Sequence, residues 1–208
     1  MTDLDWDKVH NDLSAPLDRA HVKPPPQGKY GEYVEAYHVI KEANRIFGFN
    51  GWSYSIDSLQ KTNEEHKDGK LHVGYLAMVI VTVGGVHRHD VGHGQGHSKS
   101  EGDAHDSAVK EAVTDGLKRC LRTFGDPMGL ALYDKTKANV QDLEAEAREA
   151  TAIDEAVWAL ETCQDKEAYV EQWKAIAAKF GGTKNVPQPV IYAAKNAASR
   201  VGYNKETA

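Results

Sequence analysis

The 208-residue chain has only two cysteines, Cys120 and Cys163. That is too few for a disulfide framework, and two thiols so far apart in helix-like surroundings read as reduced. Long apolar runs are also missing. The longest, "YLAMVIVTV" at 75–83, is less than half of the about 20 residues a membrane-spanning helix needs, so no membrane partner is expected. Positive charge is not in excess: 25 Lys and Arg stand against 31 Asp and Glu, a formal charge of −6. Any nucleic-acid contact therefore has to come from a local basic patch. The acidic N-terminus, "MTDLDWDKVHNDL", lacks the basic character of secretory and transit signals, so a soluble, intracellular chain is expected. Catalytic signatures are absent as well: there is no GxSxG, HExxH or CxxC, and "GHGQGH" has glycines at 92, 94 and 96 without the GxGxxG spacing. Nothing in the sequence asks for an enzyme or a cofactor.

What is present is an ordinary globular balance, 40% hydrophobic and 27% charged. Residues 1–29 end in "KPPPQGK" and read as a stiff arm, because consecutive prolines lack amide donors and favour extended backbone. In "EYVEAYHVIKEANRIFG" the residues Tyr33, Ala36, Tyr37, Ile40, Ala43, Ile46 and Phe47 fall at helical spacing, with Gly48 as the C-cap. After the Asn-Gly turn of "FNGW", "WSYSIDSLQK" alternates as a strand, and a turn is expected at Asp68-Gly69. "LHVGYLAMVIVTV" is the strongest strand, and "VHRHDVGHG" is a third after Gly84-Gly85. A glycine-rich loop then leads to a long helix at about 104–124, with Val109, Val113, Leu117, Cys120 and Phe124 on its apolar side. From about 140 the chain is rich in Ala and Glu without strand signals, and Leu160, Trp173, Ile176 and Phe180 are expected to form a small core there. The fold class is α+β: an antiparallel β-meander crossed by a long helix, with a helical C-terminal region. The domain reading is 1–29 as arm or linker, 30–139 as the main domain and 140–208 as the helical region.

Two features invite chemistry. His87, His89, His93, His97 and His105, with Asp90, Asp103 and Asp106 nearby, suggest a metal site and hence a metal-dependent nuclease. A zinc centre needs three or four convergent ligands, and the glycines between His93 and His97 oppose the helix that would align them. An exposed titrating cluster without a ligand role is the favoured reading, so no metal is assigned. The second feature is basic. Lys118, Arg119 and Arg122 cluster near the end of the long helix, and Lys118 and Arg122 share one ridge at i, i+4. Their repulsion calls for a compensating partner, which Asp115 or a phosphate could supply. A favourable contact with the helix dipole explains the same cluster without a ligand. Tyr33, Tyr37 and Trp52 offer aromatic surface, although core packing is the default for each.

"YVEAYHVIKEANRIFGFNGWSYSI", "GKLHVGYLAMVIVTV", "HDVGHG" and above all "AVKEAVTDGLKRCLRTFGDPMGLALYDK" resemble the Rad-fifty-two family of single-strand annealing proteins, from about Lys23 to Lys135. The resemblance implies a homo-oligomer, a ring or open helical assembly. It would bind single-stranded DNA, expose the bases to a complementary strand and anneal the two in recombination and break repair, without ATP or metal. Carried over by position, an inner DNA-binding site comprises Lys118, Arg119, Arg122, the aromatic Tyr33 and an upstream cation at Lys23. An outer contact region comprises Lys70, Lys99 and Lys135. His93 stands where the family usually has an aromatic. The short helical C-terminus implies a bacterial or phage form, acting in a bacterial or phage-infected cytoplasm. Its helices are a candidate scaffold for recruiting a recombinase or a single-strand-binding protein.

Overall fold

A computed structural model describes residues 4–25 and 30–203. It confirms an α+β chain with an antiparallel sheet and, among the described residues, six α-helices. The chain divides into two compact units, Met1–Asp142 and Leu143–Ala208.

The first unit begins with α1 (Trp6–Leu13), started by the Asp5 carboxylate, which accepts from the Lys8 amide at 3.1 Å. Val9 and Leu13, four apart on one helix face, are buried, and so is Leu17. Leu17–Asp18 (β1) pairs in parallel with Val140–Gln141 (β7), while Val22–Lys23 (β2) pairs antiparallel with Tyr33–Val34 (β3). The described part of the expected arm is therefore built into the unit, because an amphipathic helix precedes the prolines. The last four residues of "PPPQGK", 26–29, lie outside the described residues. Helix α2 (Ala36–Phe47) ends at Gly48, whose φ of 77° suits glycine. It starts three residues later than the spacing implies, since Tyr33 belongs to β3.

Three long strands form the sheet in the order β4 (Trp52–Lys67), β5 (Lys70–Val83), β6 (Val86–Ser98). Both hairpins close through two-residue turns with positive φ at each position, Asp68-Gly69 and Gly84-Gly85. That is the turn whose twist matches antiparallel strands. Central strand β5 alternates: Val73, Ala77, Val79, Val81 and Val83 are buried, and each valine contributes about 1.5–3 kcal/mol by leaving water. β4 bulges between Ile56 and Ser58 and again between Lys61 and Asn63.

Strand β6 corrects the sequence reading most. No glycine-rich loop follows "VHRHDVGHG"; the strand runs on through "GQGHS" to Ser98. Gly92, Gly94 and Gly96 alternate onto the face covered by α3 (Glu101–Arg122), whose Ala104, Ala108, Ala112 and Gly116 are buried. A Cβ at Gly92, Gly94 or Gly96 would lie about 2 Å from the Ala112, Ala108 or Ala104 carbonyl oxygen. The helix therefore packs backbone against backbone, and small residues mark its contact stripe. This displaces Val109 and Val113 from the expected core line to half-buried flanks. Leu117, Cys120 and Leu121 complete the buried side.

The second unit holds α4 (Leu143–Thr162), α5 (Lys166–Lys179) and α6 (Gln188–Arg200) around Leu160, Ile176, Val190 and Ala197, with Trp173 and Phe180 packed against them. Cys120 and Cys163 are free and buried.

Candidate nucleic-acid interface

The last turns of α3 present Lys118, Arg119 and Arg122 beside the β2–β3 hairpin and the 3₁₀ turn Leu130–Tyr133. Because α3 is clamped on the glycine face of β6, the direction of these side chains is set by the sheet. The Lys118 ammonium stands 6.0 Å from the centroid of the Tyr33 ring. The Arg122 guanidinium lies 4.4 Å from the centroid of Tyr133 and also donates to its hydroxyl. Arg119 Nε donates to Asp115 Oδ2 at 2.8 Å, and that carboxylate raises the guanidinium's already high pKa. Asp115 thus pairs with Arg119, its own i, i+4 neighbour, and not with Lys118 or Arg122 as the charge pattern suggests. Among the described residues those two have no carboxylate within ion-pair distance.

Lys23 is exposed and sits directly opposite Tyr33 in the β2–β3 ladder, so the structure does bring the upstream cation to the hairpin that carries the aromatic. Beside Tyr33, Glu32 binds Arg19 at 2.9 Å and also Lys137. The Lys137 ammonium, with Arg19, holds the Glu32 carboxyl below its ordinary range, which keeps this brace charged. Tyr133 and Lys137 were not singled out from sequence. The one available signal for Tyr133 was its position in "LALYDK", eleven residues after Arg122.

Glu32, Tyr33, Asp115, Lys118, Arg119 and Tyr133 border an open groove of about 1050 Å³ that also takes in Lys110, Thr114, Glu111, His93 and His97. A smaller hollow of about 150 Å³ extends it past Arg122 and Gly129. Cations on a braced helix, with aromatic rings beneath them, suit a flexible polyanion carrying planar groups: phosphates meet the cations, and rings meet sugar or base faces.

The outer-region lysines separate into two places. Leu71 pairs with Ser98, so Lys70 and Lys99 flank one end of the sheet, at the N-terminal end of α3. Lys135 is exposed two residues beyond Tyr133, near the C-terminal end, where Asp134 accepts from Thr136 and Ala138 and fixes the turn. Twenty-two helical residues separate those ends by about 33 Å. Within one chain these three lysines do not form one patch.

The histidines spread out. His87, His89, His93 and His97 alternate along the exposed face of β6. His87 is joined to the Thr82 hydroxyl at 2.9 Å, and His97 stacks on His72 across the ladder. His105 belongs to α3, where it bonds the Tyr75 hydroxyl at 3.0 Å. Among the described residues no three His, Cys, Asp or Glu side chains are grouped so as to hold a metal ion. Nor is any helix there long and apolar enough to cross a membrane.

A family model described as "Rad52/22 family double-strand break repair protein" matches residues 5–152. The chain is 40% identical over 140 residues to the DNA repair and recombination protein rti1 of Schizosaccharomyces pombe, covering 65% of this chain and 38% of that one. It is 43% identical over 105 residues to RAD52 of Saccharomyces cerevisiae, covering 50% and 22%. To rad22 of S. pombe it is 39% identical over 114 residues, covering 53% and 24%. The chain therefore spans between about a fifth and two fifths of these relatives. All three are fungal, whereas the short helical C-terminus implied a bacterial or phage form.

Proposed function

The chain belongs to the Rad52/22 family of double-strand break repair proteins, and on that premise we propose that it binds single-stranded DNA in the α3 groove and anneals complementary strands during recombination and repair. The observation that carries this reading is the pair of cations, Lys118 and Arg122, that are propped on Tyr33 and Tyr133 without a carboxylate partner among the described residues. Phosphate binding neutralises them, and pairing two polyanions needs that neutralisation to reduce the repulsion between strands. Arg119 and Lys23 extend the cationic strip. A groove that holds backbone leaves base edges free, so recognition is tolerant of sequence and sensitive to salt. Lys70 and Lys99 at one end of the sheet, with Lys135 at the other, are outer contacts for the second strand. Each pair of ends becomes a continuous path only when copies of the chain stand side by side.

Homo-oligomeric assembly, ring or open helix, is part of the proposal. Tyr54, Ile56 and Leu59 are 50%, 48% and 44% exposed. All three lie on the same side of β4, since they pair with the buried Val81, Val79 and Ala77, on a stretch the helix leaves uncovered. An apolar strip on an edge strand supports burial against another copy. Annealing as proposed needs neither nucleotide nor metal. Recruitment of a recombinase or a single-strand-binding protein through the α4–α6 unit is the second role proposed, supported by that unit's own core.

The test is annealing of complementary labelled oligonucleotides with and without EDTA. Chelator-resistant duplex formation with strands intact is expected, and metal-dependent shortening of the strands would favour a nuclease. Lys118→Ala with Arg122→Ala is expected to weaken binding strongly and to reduce the slope of log K against log salt by roughly 1.4, about 0.7 per phosphate contact. An unchanged slope would remove these residues from the site.

A further inference from the structure

Asp115, on α3, ties a groove cation and strand backbone together. Its Oδ2 accepts from Arg119 Nε at 2.8 Å and from the backbone amide of His93 at 3.2 Å. Because the second donor is strand backbone, the carboxylate is anchored and cannot follow Arg119 toward a ligand. Lys118 and Arg122, a residue and a turn away, carry no such restraint among the described residues. At the C-terminal end of α3 the groove therefore offers two available cations, Lys118 and Arg122, and one, Arg119, that is engaged.

Resting on the reading of the groove as a DNA site, we propose that Asp115 is a positioning residue that keeps Arg119 in reserve, so that a phosphate gains Arg119 only by displacing the carboxylate. The consequence is a grip graded in two steps. Lys118 and Arg122 take the first phosphates at full electrostatic gain. Arg119 adds less, because what it wins from the phosphate is offset by the bond it gives up. A strand held this way is released more readily than one gripped by three free cations, which suits a protein whose bound strand must leave as duplex.

The structure contains its own control. Glu111 caps the Gln95 amide at 2.9 Å, one turn before Asp115 on the same helix. It borders the same groove and has no cation within ion-pair distance among the described residues. Asp115→Asn and Glu111→Gln each remove one negative charge and keep an oxygen for the strand amide. Only the first loosens Arg119. Both effects can be read with fluorescein-labelled oligothymidylate by anisotropy over a potassium chloride series, with thermal melting to confirm that each variant is folded.

Glu111→Gln is expected to raise affinity modestly at low salt with the slope unchanged. Asp115→Asn is expected to raise it a further two- to fivefold, roughly the range for releasing a partly exposed ion pair, and to steepen the slope by roughly 0.7. Arg119→Ala in the Asp115→Asn background should return the slope to that of the unaltered chain. In the unaltered chain, Arg119→Ala should reduce the slope by less than Lys118→Ala does. That last comparison decides the matter even if Asp115→Asn fails to fold. Equal behaviour of Asp115→Asn and Glu111→Gln overturns the inference while leaving DNA binding intact, and so does weaker binding by a folded Asp115→Asn. If the unaltered chain does not bind the oligonucleotide at all, the DNA reading itself falls and takes this inference with it.

Discussion

His38 donates from Nε2 to the Pro127 carbonyl at 2.8 Å and stacks on His21 with ring centroids 4.2 Å apart. Burial, and to a lesser degree the neighbouring His21, push its pKa below the ordinary imidazole value, while the Pro127 bond opposes them. The sign follows from proton binding. Below pH 6.5 an unfolded His38 takes up a proton that the folded one refuses, so stability is complete above that pH and is lost as pH falls toward the folded pKa. Chemical denaturation at pH 7.5 and 5.5 should show a lower midpoint at 5.5, and His38→Gln, which keeps a donor for Pro127, should flatten the difference. Equal pH dependence in the two proteins would show that His38 is not the group responsible. At this scale the sequence was legible where spacing alone carries meaning. Lys118, Arg119 and Arg122 could be placed together because helix geometry is local. The roles of Asp115, Tyr133 and Glu32 could not, because each depends on a partner across the fold or on a choice between equivalent neighbours.

The helix–strand seam shows how an element can be identified correctly and faced incorrectly. Three strands, two hairpin turns and a long helix follow from period and turn chemistry, and the structure has all of them. "GHGQGH" reads as loop because glycine is a breaker by propensity, yet it is strand. Alternate glycines in a strand also make a flat face for close approach, and the matching Ala104, Ala108, Ala112, Gly116 stripe on α3 was visible at i, i+4. The signal was in the pairing of two small-residue patterns about a dozen residues apart, which neither pattern shows by itself. Gly94→Ala forces a Cβ to within 2.0 Å of the Ala108 carbonyl oxygen and should destabilise by about 1–3 kcal/mol. Gly102→Ala, in the first turn of the same helix with nothing within 4 Å, should stabilise by about 0.4–1 kcal/mol. Urea midpoints at constant slope check both. A neutral Gly94→Ala would mean that the helix is not seated on the strand.

For the molecule as a whole, the sequence pointed to a change of character near residue 140 through composition alone, and the structure divides the chain at 142/143. What it concealed was the contribution of the segment before residue 24, because a short helix with few apolar positions looks like a tail until Val9, Leu13 and Leu17 are seen buried in the core of the first unit. The exposed strip on β4 carries the prediction at this level. Ile56→Glu with Leu59→Glu places two charges where another copy is proposed to pack. The variant should run as a smaller particle in light scattering with its melting temperature little changed, because both side chains are already about half exposed. An unaltered particle size would move the contact elsewhere. The two margins of the sheet are unlike. On β6 three successive outward amides are occupied by carboxylates: Val91 by Asp90, His93 by Asp115 and Gln95 by Glu111. Among the described residues β4 has no such caps. Along residues 91–95 the β6 margin is closed to strand pairing while β4 stays open. The proposed assembly would therefore grow through side-chain faces and not by hydrogen-bonded extension of the sheet past this stretch.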